Sequence, residues 1–283
     1  MTVLLALGSS VVWGTSDFVA GLLSRRVSPW VVMVWSQLIG LLIMTVAVIV
    51  RGAGIAPGAW LGWAAAAAIA GSAGLGCFYS ALASGTMGVV APIASLGVAV
   101  PVLLGVIGGD VPSATAWVGM AAAIVGVVLA SGPEIHGDAG PRPVLLASAA
   151  GVGFGLALYF LHRAARDSLL HALFGMRLTT VVVAVVIVLG WWLVRHPAGS
   201  ALRPETTPAA LLGLGVVGAA DLGANALFAA ASTTAMVSVA SVLGSLYSVV
   251  TAGWARLILG ERLRPIQLLG VALVVLGVVL IAL

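Results

Sequence analysis

Apolar runs of roughly 20 residues follow one another along the whole chain, separated by short polar or proline-bearing breaks. Within a run the apolar character is continuous. The alternation expected of a membrane β-strand is absent, so helices are predicted. Ten can be drawn: Val3–Leu22, Trp30–Val50, Trp60–Ala83, Gly88–Gly108, Ala116–Ser131, Val144–His162, Leu169–Val194, Ala209–Ser232, Met236–Leu259 and Ile266–Leu283. About 20 apolar residues cross about 30 Å of hydrocarbon as a helix. The pattern therefore predicts an all-α integral membrane protein with ten transmembrane helices, its outer surface in the lipid bilayer of the cell membrane. The first run has no basic segment ahead of it and reads as a span rather than a signal peptide.

The runs repeat. GMAAAIVGVVLA, starting at Gly119, resembles GVALVVLGVVLI, starting at Gly270. Upstream, LGCFYSALAS from Leu75 matches LGANALFAAA from Leu222, IASLG matches ASVLG, and Trp13-Gly14 aligns with Phe154-Gly155. This divides the chain into a first five-helix repeat at residues 1–132, a linker at 133–143 and a second repeat at 144–283. An odd number of spans per repeat inserts the two copies in opposite orientations. That is the inverted-repeat plan of many secondary transporters, with a central cavity near the midplane.

Beyond the repeat, the segment LILGERLRPIQLLGVALVVLGVVLIA resembles the EamA-type branch of the drug/metabolite transporter superfamily. Gly260, Glu261, Leu263, Gln267 and Gly270 carry its GE-x-L-x-x-x-Q-x-x-G pattern. The opening ALGSSVVWGTSDFVAG, with Trp13 and Gly14, resembles the first span of that family. The first repeat departs from the pattern. Asp110 stands for the usual glutamate, and the segment from Pro101 to Asp110 is shorter than its counterpart from Ser248 to Glu261 by about one turn. The resemblance implies a secondary transporter that moves a small organic metabolite or drug-like solute by alternating access, as an exporter. A flippase for a lipid-linked group and an uncoupled facilitator are the alternatives within transport. A membrane enzyme or a structural membrane partner is the alternative outside it.

Composition strengthens the membrane reading. Charged residues are 7% of the chain and hydrophobic residues 62%, against about 25% charged in soluble domains. The twelve basic residues are all Arg and are scattered over short loops, which argues against a nucleic-acid surface. Their distribution favours the odd-numbered connections in the cytoplasm. The resemblance implies the opposite, with both termini inside, and that orientation is our expectation. There is no nucleotide-binding loop and no metal motif, and His136, His162, His171 and His196 lack ligand spacing. Neither a cofactor nor a metal is expected, no catalytic set is visible, and any uphill flux must draw on an ion gradient. A monomer or homodimer is expected.

Against this apolar background the few polar residues inside spans stand out. Asp221 falls about 18 Å into the eighth span, where an Asp costs about 2.5–3.5 kcal/mol to insert. It should face a wet cavity or the bundle interior. Asn225 shares its face at helical spacing. A desolvated carboxylate can exchange protons near neutrality, so Asp221 is the first candidate for proton coupling and Asp17, near the end of the first span, the second. Arg177 lies about 12 Å into the seventh span, and its repeat partner is Gln37. It would bind an anionic group or pair with an acid. Ser238, Ser241, Ser245 and Ser248 are spaced as one helical face, which fits either a polar cavity lining or close small-residue packing. Trp13, Tyr79, Phe154, Tyr159 and Tyr247 complete the candidate lining. Pro92 and Pro101, inside the fourth span, are candidate hinges or static kinks.

Overall fold

A computed structural model of the chain describes residues 1–24, 29–54, 58–84, 93–94, 96–130, 141–195, 207–234, 236–259 and 264–282. Among these the regular structure is entirely helical. The helices are α1 (Thr2–Ser24), α2 (Pro29–Val50), α3 (Ala59–Ser84), α4 (Ala99–Ile107), α5 (Ala114–Ala130), α6 (Pro141–Asp167), α7 (Leu169–Arg195), α8 (Pro208–Thr234), α9 (Val237–Gly244), α10 (Tyr247–Leu259) and α11 (Pro265–Ala282), with a 3-10 turn at Leu96–Val98 ahead of α4. Six of them are long and apolar enough to cross a membrane: α1, α2, α3, α6, α7 and α8. Shorter apolar stretches, Leu96–Ile107, Ala114–Leu129, Val237–Thr251 and Pro265–Ile281, occupy the other predicted span positions.

Local chemistry sets several boundaries. Ser113 and Thr207 accept a backbone N–H with their side-chain oxygens at the starts of α5 and α8, and Ser168 does so at the start of α7. At the end of α2, Gly52 has φ +58° and the chain closes with bonds from Gly52 N–H to Ile49 and from Ala53 N–H to Val48. The same device ends α4. Gly109 has φ +109°, and Asp110 N–H returns to the Gly105 carbonyl at 2.9 Å. That turn throws Asp110 out from the helix end.

The ninth predicted span is not one helix. The predicted Met236–Leu259 run breaks after Gly244 into α9 and α10. The Ser10 hydroxyl of α1 donates to the Leu243 carbonyl, and the Ser245 hydroxyl donates to the Val242 carbonyl at 2.8 Å. Side-chain donors thus take carbonyls at the break, a known cause of helix interruption. The corresponding α4 has 9 residues and α10 has 13, the one-turn difference seen in the sequence.

The packing repeats with the sequence. α1 packs on α8, and α6 packs on α3; α2 packs on both α7 and α8, and α7 on both α2 and α3. α5 packs on α11 and α4 on α9. Exchanging the first repeat for the second leaves the pairs among α1, α2, α3, α6, α7 and α8, and the α5–α11 pair, unchanged. α5 and α11 run antiparallel: a Cβ on Gly119 would lie 2.8 Å from the Gly277 carbonyl oxygen, and one on Gly126 would lie 2.7 Å from the Gly270 carbonyl oxygen. The two backbones touch because glycine leaves no side chain between them.

The distribution of polarity is the reverse of a soluble protein's. Leu42, Ile49, Ile107, Leu212 and Leu257 are exposed, whereas Ser9, Ser10, Ser16, Arg177, Asn225, Ser238 and Ser241 are buried. An apolar exterior of this extent needs lipid as its solvent. Together with the six membrane-length helices it makes the chain a multi-pass membrane protein.

Candidate functional site

The most polar part of the interior lies among α1, α2, α7 and α8. Arg177 on α7 is 2% exposed and its Nη1 meets Asp221 Oδ2 of α8 at 2.7 Å. Gly40 of α2 makes room for it: a Cβ there would lie 3.3 Å from the Arg177 Cδ and Nε. Gln37, one helical turn before Gly40, accepts a hydrogen bond from Arg177 Nη1 through Oε1 and turns its amide nitrogen to Asp221 Oδ2 at 3.5 Å. Two further donors reach the other carboxylate oxygen. Trp13 Nε1 of α1 and Asn225 Nδ2 each donate to Asp221 Oδ1 at 3.2 Å. Asn225 also donates to the Asp221 carbonyl at 2.7 Å, locking it to its own helix.

The carboxylate thus has donors from all four helices. A buried charge pair of this kind needs its remaining atoms hydrogen-bonded to offset desolvation. Asp221 meets that condition; Arg177 does not, since its Nε and Nη2 are buried without a partner among the described residues. The Asp221 side chain remains 26% exposed. The guanidinium is sealed behind the carboxylate, and the carboxylate is the accessible member.

Aromatic rings close one side. Trp13 stands 6.0 Å from Phe228 and 6.3 Å from Tyr247 between ring centroids, the latter edge-on. Phe228 follows Asp221 and Asn225 on the same face of α8. Asp17, one turn beyond Trp13, is exposed and within electrostatic reach of both Asp221 and Tyr247.

A family model described as the EamA-like transporter family matches residues 1–132 and again residues 141–283. The chain belongs to the EamA-like transporter family. It is thereby a membrane transporter of the drug/metabolite transporter superfamily. A solved structure described only as "Crystal structure of protein" aligns with a TM-score of 0.80, at 18% identity over 99% of this chain and 95% of that one. At that identity the likeness concerns the fold. No curated protein matches.

In this EamA-like transporter the sequence-predicted residues fall into separate groups. Trp13, Gln37, Arg177, Asp221, Asn225, Asp17 and Tyr247 come together. Phe154 instead packs edge-on against Phe78 at 5.9 Å, in the α3–α6 contact. Tyr159 lines a different cavity, near the ends of α4 and α6. Ser238, Ser241 and Ser245 are buried against neighbouring helices, so in this conformation they pack rather than face open space. Pro101 stands in the first turn of α4, where its missing N–H breaks no helical bond. Pro92, most of the 133–143 linker, and Gly260, Glu261 and Leu263 lie outside the described residues, as do the side chains of Tyr79 and Ser248.

Sequence reasoning missed Gly40 as a site residue, and nothing in an apolar glycine-rich helix marks it. It also missed the partner of Asp110. That carboxylate accepts both the backbone N–H of Ser238 at 2.9 Å and its hydroxyl at 2.7 Å. Asp110 therefore caps α9 of the second repeat from the end of α4 in the first.

Proposed function

We propose that the chain is a secondary transporter that carries a small organic solute across the cell membrane by alternating access between two inverted five-helix repeats of ten spans in all, with its binding site at the Trp13–Gln37–Arg177–Asp221–Asn225 cluster. The observation that carries this reading is the Arg177–Asp221 pair. Two opposite charges sit in the interior of an apolar bundle, and the carboxylate keeps 26% of its surface accessible. A carboxylate left open beside aromatic rings is suited to exchange its partner for a solute group or a proton.

The antiparallel α5–α11 crossing supports the inverted relation between repeats. The ends of the molecule differ in closure, which supports alternating access. Thr2 Oγ1 and Thr234 Oγ1 approach to 3.2 Å, so the start of α1 and the end of α8 share one end. At that end every residue of α9 is buried, and Asp110 ties α9 to the first repeat. Asp17, further along α1 from that end, is exposed. The arrangement fits a conformation closed at the end that holds the N-terminus and open at the other.

Asp221 is the group we assign to proton coupling, with Asp17 second, and export is the direction we favour. In reconstituted vesicles with an imposed pH gradient, Asp221→Asn is expected to abolish proton-driven solute flux while sparing solute exchange. Proton-driven flux at the wild-type rate in that variant overturns the assignment. Wild-type flux indifferent to any ion gradient would make the chain a facilitator instead.

A further inference from the structure

A second polar cavity lies away from the Asp221 cluster. Its volume is about 230 Å³, and it opens between the end of α4, the last turns of α6, the end of α8 and the start of α9. Along α8 it is about 16 Å from Asp221, from 11 residues at 1.5 Å each. Its charged lining is Asp110, Arg163 and Arg166, and His162, Tyr159 and Thr233 add polar groups.

The charges do not balance inside the cavity. Asp110 already serves Ser238 and the start of α9. Among the described residues neither Arg163 nor Arg166 forms an ion pair, although Asp167 is adjacent in sequence. Arg163 is held in place from behind, with its guanidinium carbon 4.8 Å from the centre of the Trp63 ring. His162 Nδ1 is buried, and the imidazole lies against the Ser232 backbone, which acts on it as a hydrogen-bond partner. The Ser232 hydroxyl, by contrast, is turned away to its own helix, to the Ala229 carbonyl at 3.0 Å. What remains for a ligand is a pair of guanidiniums one helical turn apart, one of them pre-positioned, plus a phenol.

We infer that this cavity binds a phosphate group. Two guanidiniums match the charge and the several acceptor oxygens of a phosphate better than they match a monovalent carboxylate. The cavity lies at helix ends, where either the headgroup of an anionic phospholipid or a free phosphate-bearing solute can reach it. Bound there, the phosphate pairs with the two α6 guanidiniums, and the single Asp110 charge in the lining opposes it only in part. The inference stands on different residues from the transport site and does not depend on it.

The test uses the full-length protein in phosphatidylcholine nanodiscs and follows the unfolding temperature by tryptophan fluorescence. Inorganic phosphate is titrated against sodium chloride at equal ionic strength, and a parallel sample contains phosphatidylglycerol. A saturable rise of about 3 °C at ten times the Kd with phosphate identifies a free-phosphate site. A rise only with phosphatidylglycerol identifies a headgroup site. In either case Arg163→Gln/Arg166→Gln removes the response and Arg51→Gln, outside the cavity, keeps it. Arg166 is exposed, so Arg166→Gln alone serves if the double variant does not fold. The inference is overturned if neither phosphate source raises the unfolding temperature beyond chloride, or if the cavity variants respond as the wild type does.

Discussion

Arg177 and Asp221 meet at 2.7 Å between α7 and α8, the first 2% exposed and the second 26%. The asymmetry makes Arg177 the costlier member to isolate. Asp221→Leu should destabilise the protein by about 3 kcal/mol, because it strands a guanidinium inside the bundle. Arg177→Met/Asp221→Leu should recover most of that loss while abolishing transport. Unfolding temperatures of the single and double variants in one detergent check this. Additive losses would show that the two charges do not interact.

Trp13 contributes to the site in two separable ways, an N–H on Asp221 and a ring against Phe228 and Tyr247. Trp13→Phe keeps the ring and drops the donor. We expect solute affinity to fall about tenfold, equivalent to about 1.4 kcal/mol, with little change in unfolding temperature. Trp13→Ala should lower both. Equal affinity for the Phe variant and the wild type, measured by equilibrium binding, would remove the indole N–H from the site.

The Asp110–Ser238 bond joins the two repeats at the end where Thr2 meets Thr234. Ser238→Ala removes the hydroxyl donor, worth about 1 kcal/mol, and should let this end open more often. In a Cys77→Ala background, a cysteine replacing the buried Ser241 should then react faster with a water-soluble maleimide. Unchanged labelling would mean that the bond only caps α9 and does not hold the end closed.

The α5–α11 crossing depends on glycine at its contact points. A Cβ on Gly277 would lie 2.6 Å from the Gly119 carbonyl oxygen. Gly277→Ala should cost about 2 kcal/mol as the helices are forced apart. Gly76→Ala, where a Cβ meets nothing within 4 Å, should be nearly neutral. Comparing the two unfolding temperatures tests the packing directly.

Much of the architecture was legible before any coordinates. Asp221, Arg177 and Gln37 were conspicuous because each is polar in an apolar run, and the insertion cost of a charge leaves few places for it to point. Phe154 and Tyr159 were grouped with them in error of place, since an aromatic residue in a span carries no signal of which neighbour it meets. The serine stripe was legible as a face. That the face is packed, and that it stops at Gly244, depends on a hydroxyl from Ser10 some 230 residues away, at a separation of 233 in the Ser10–Leu243 bond.

The chain by itself determined the membrane as solvent, the helical class and the doubling of the family unit, because the hydrophobic period and the repeat are local properties of the text. The tertiary structure alone decided which polar residues meet. Gly40 sits beside Arg177, Asp110 reaches Ser238, and Arg163 and Arg166 share a cavity with Asp110 and Thr233, because each of these relations joins helices far apart in the chain. Packing geometry, rather than residue type, sets those distances.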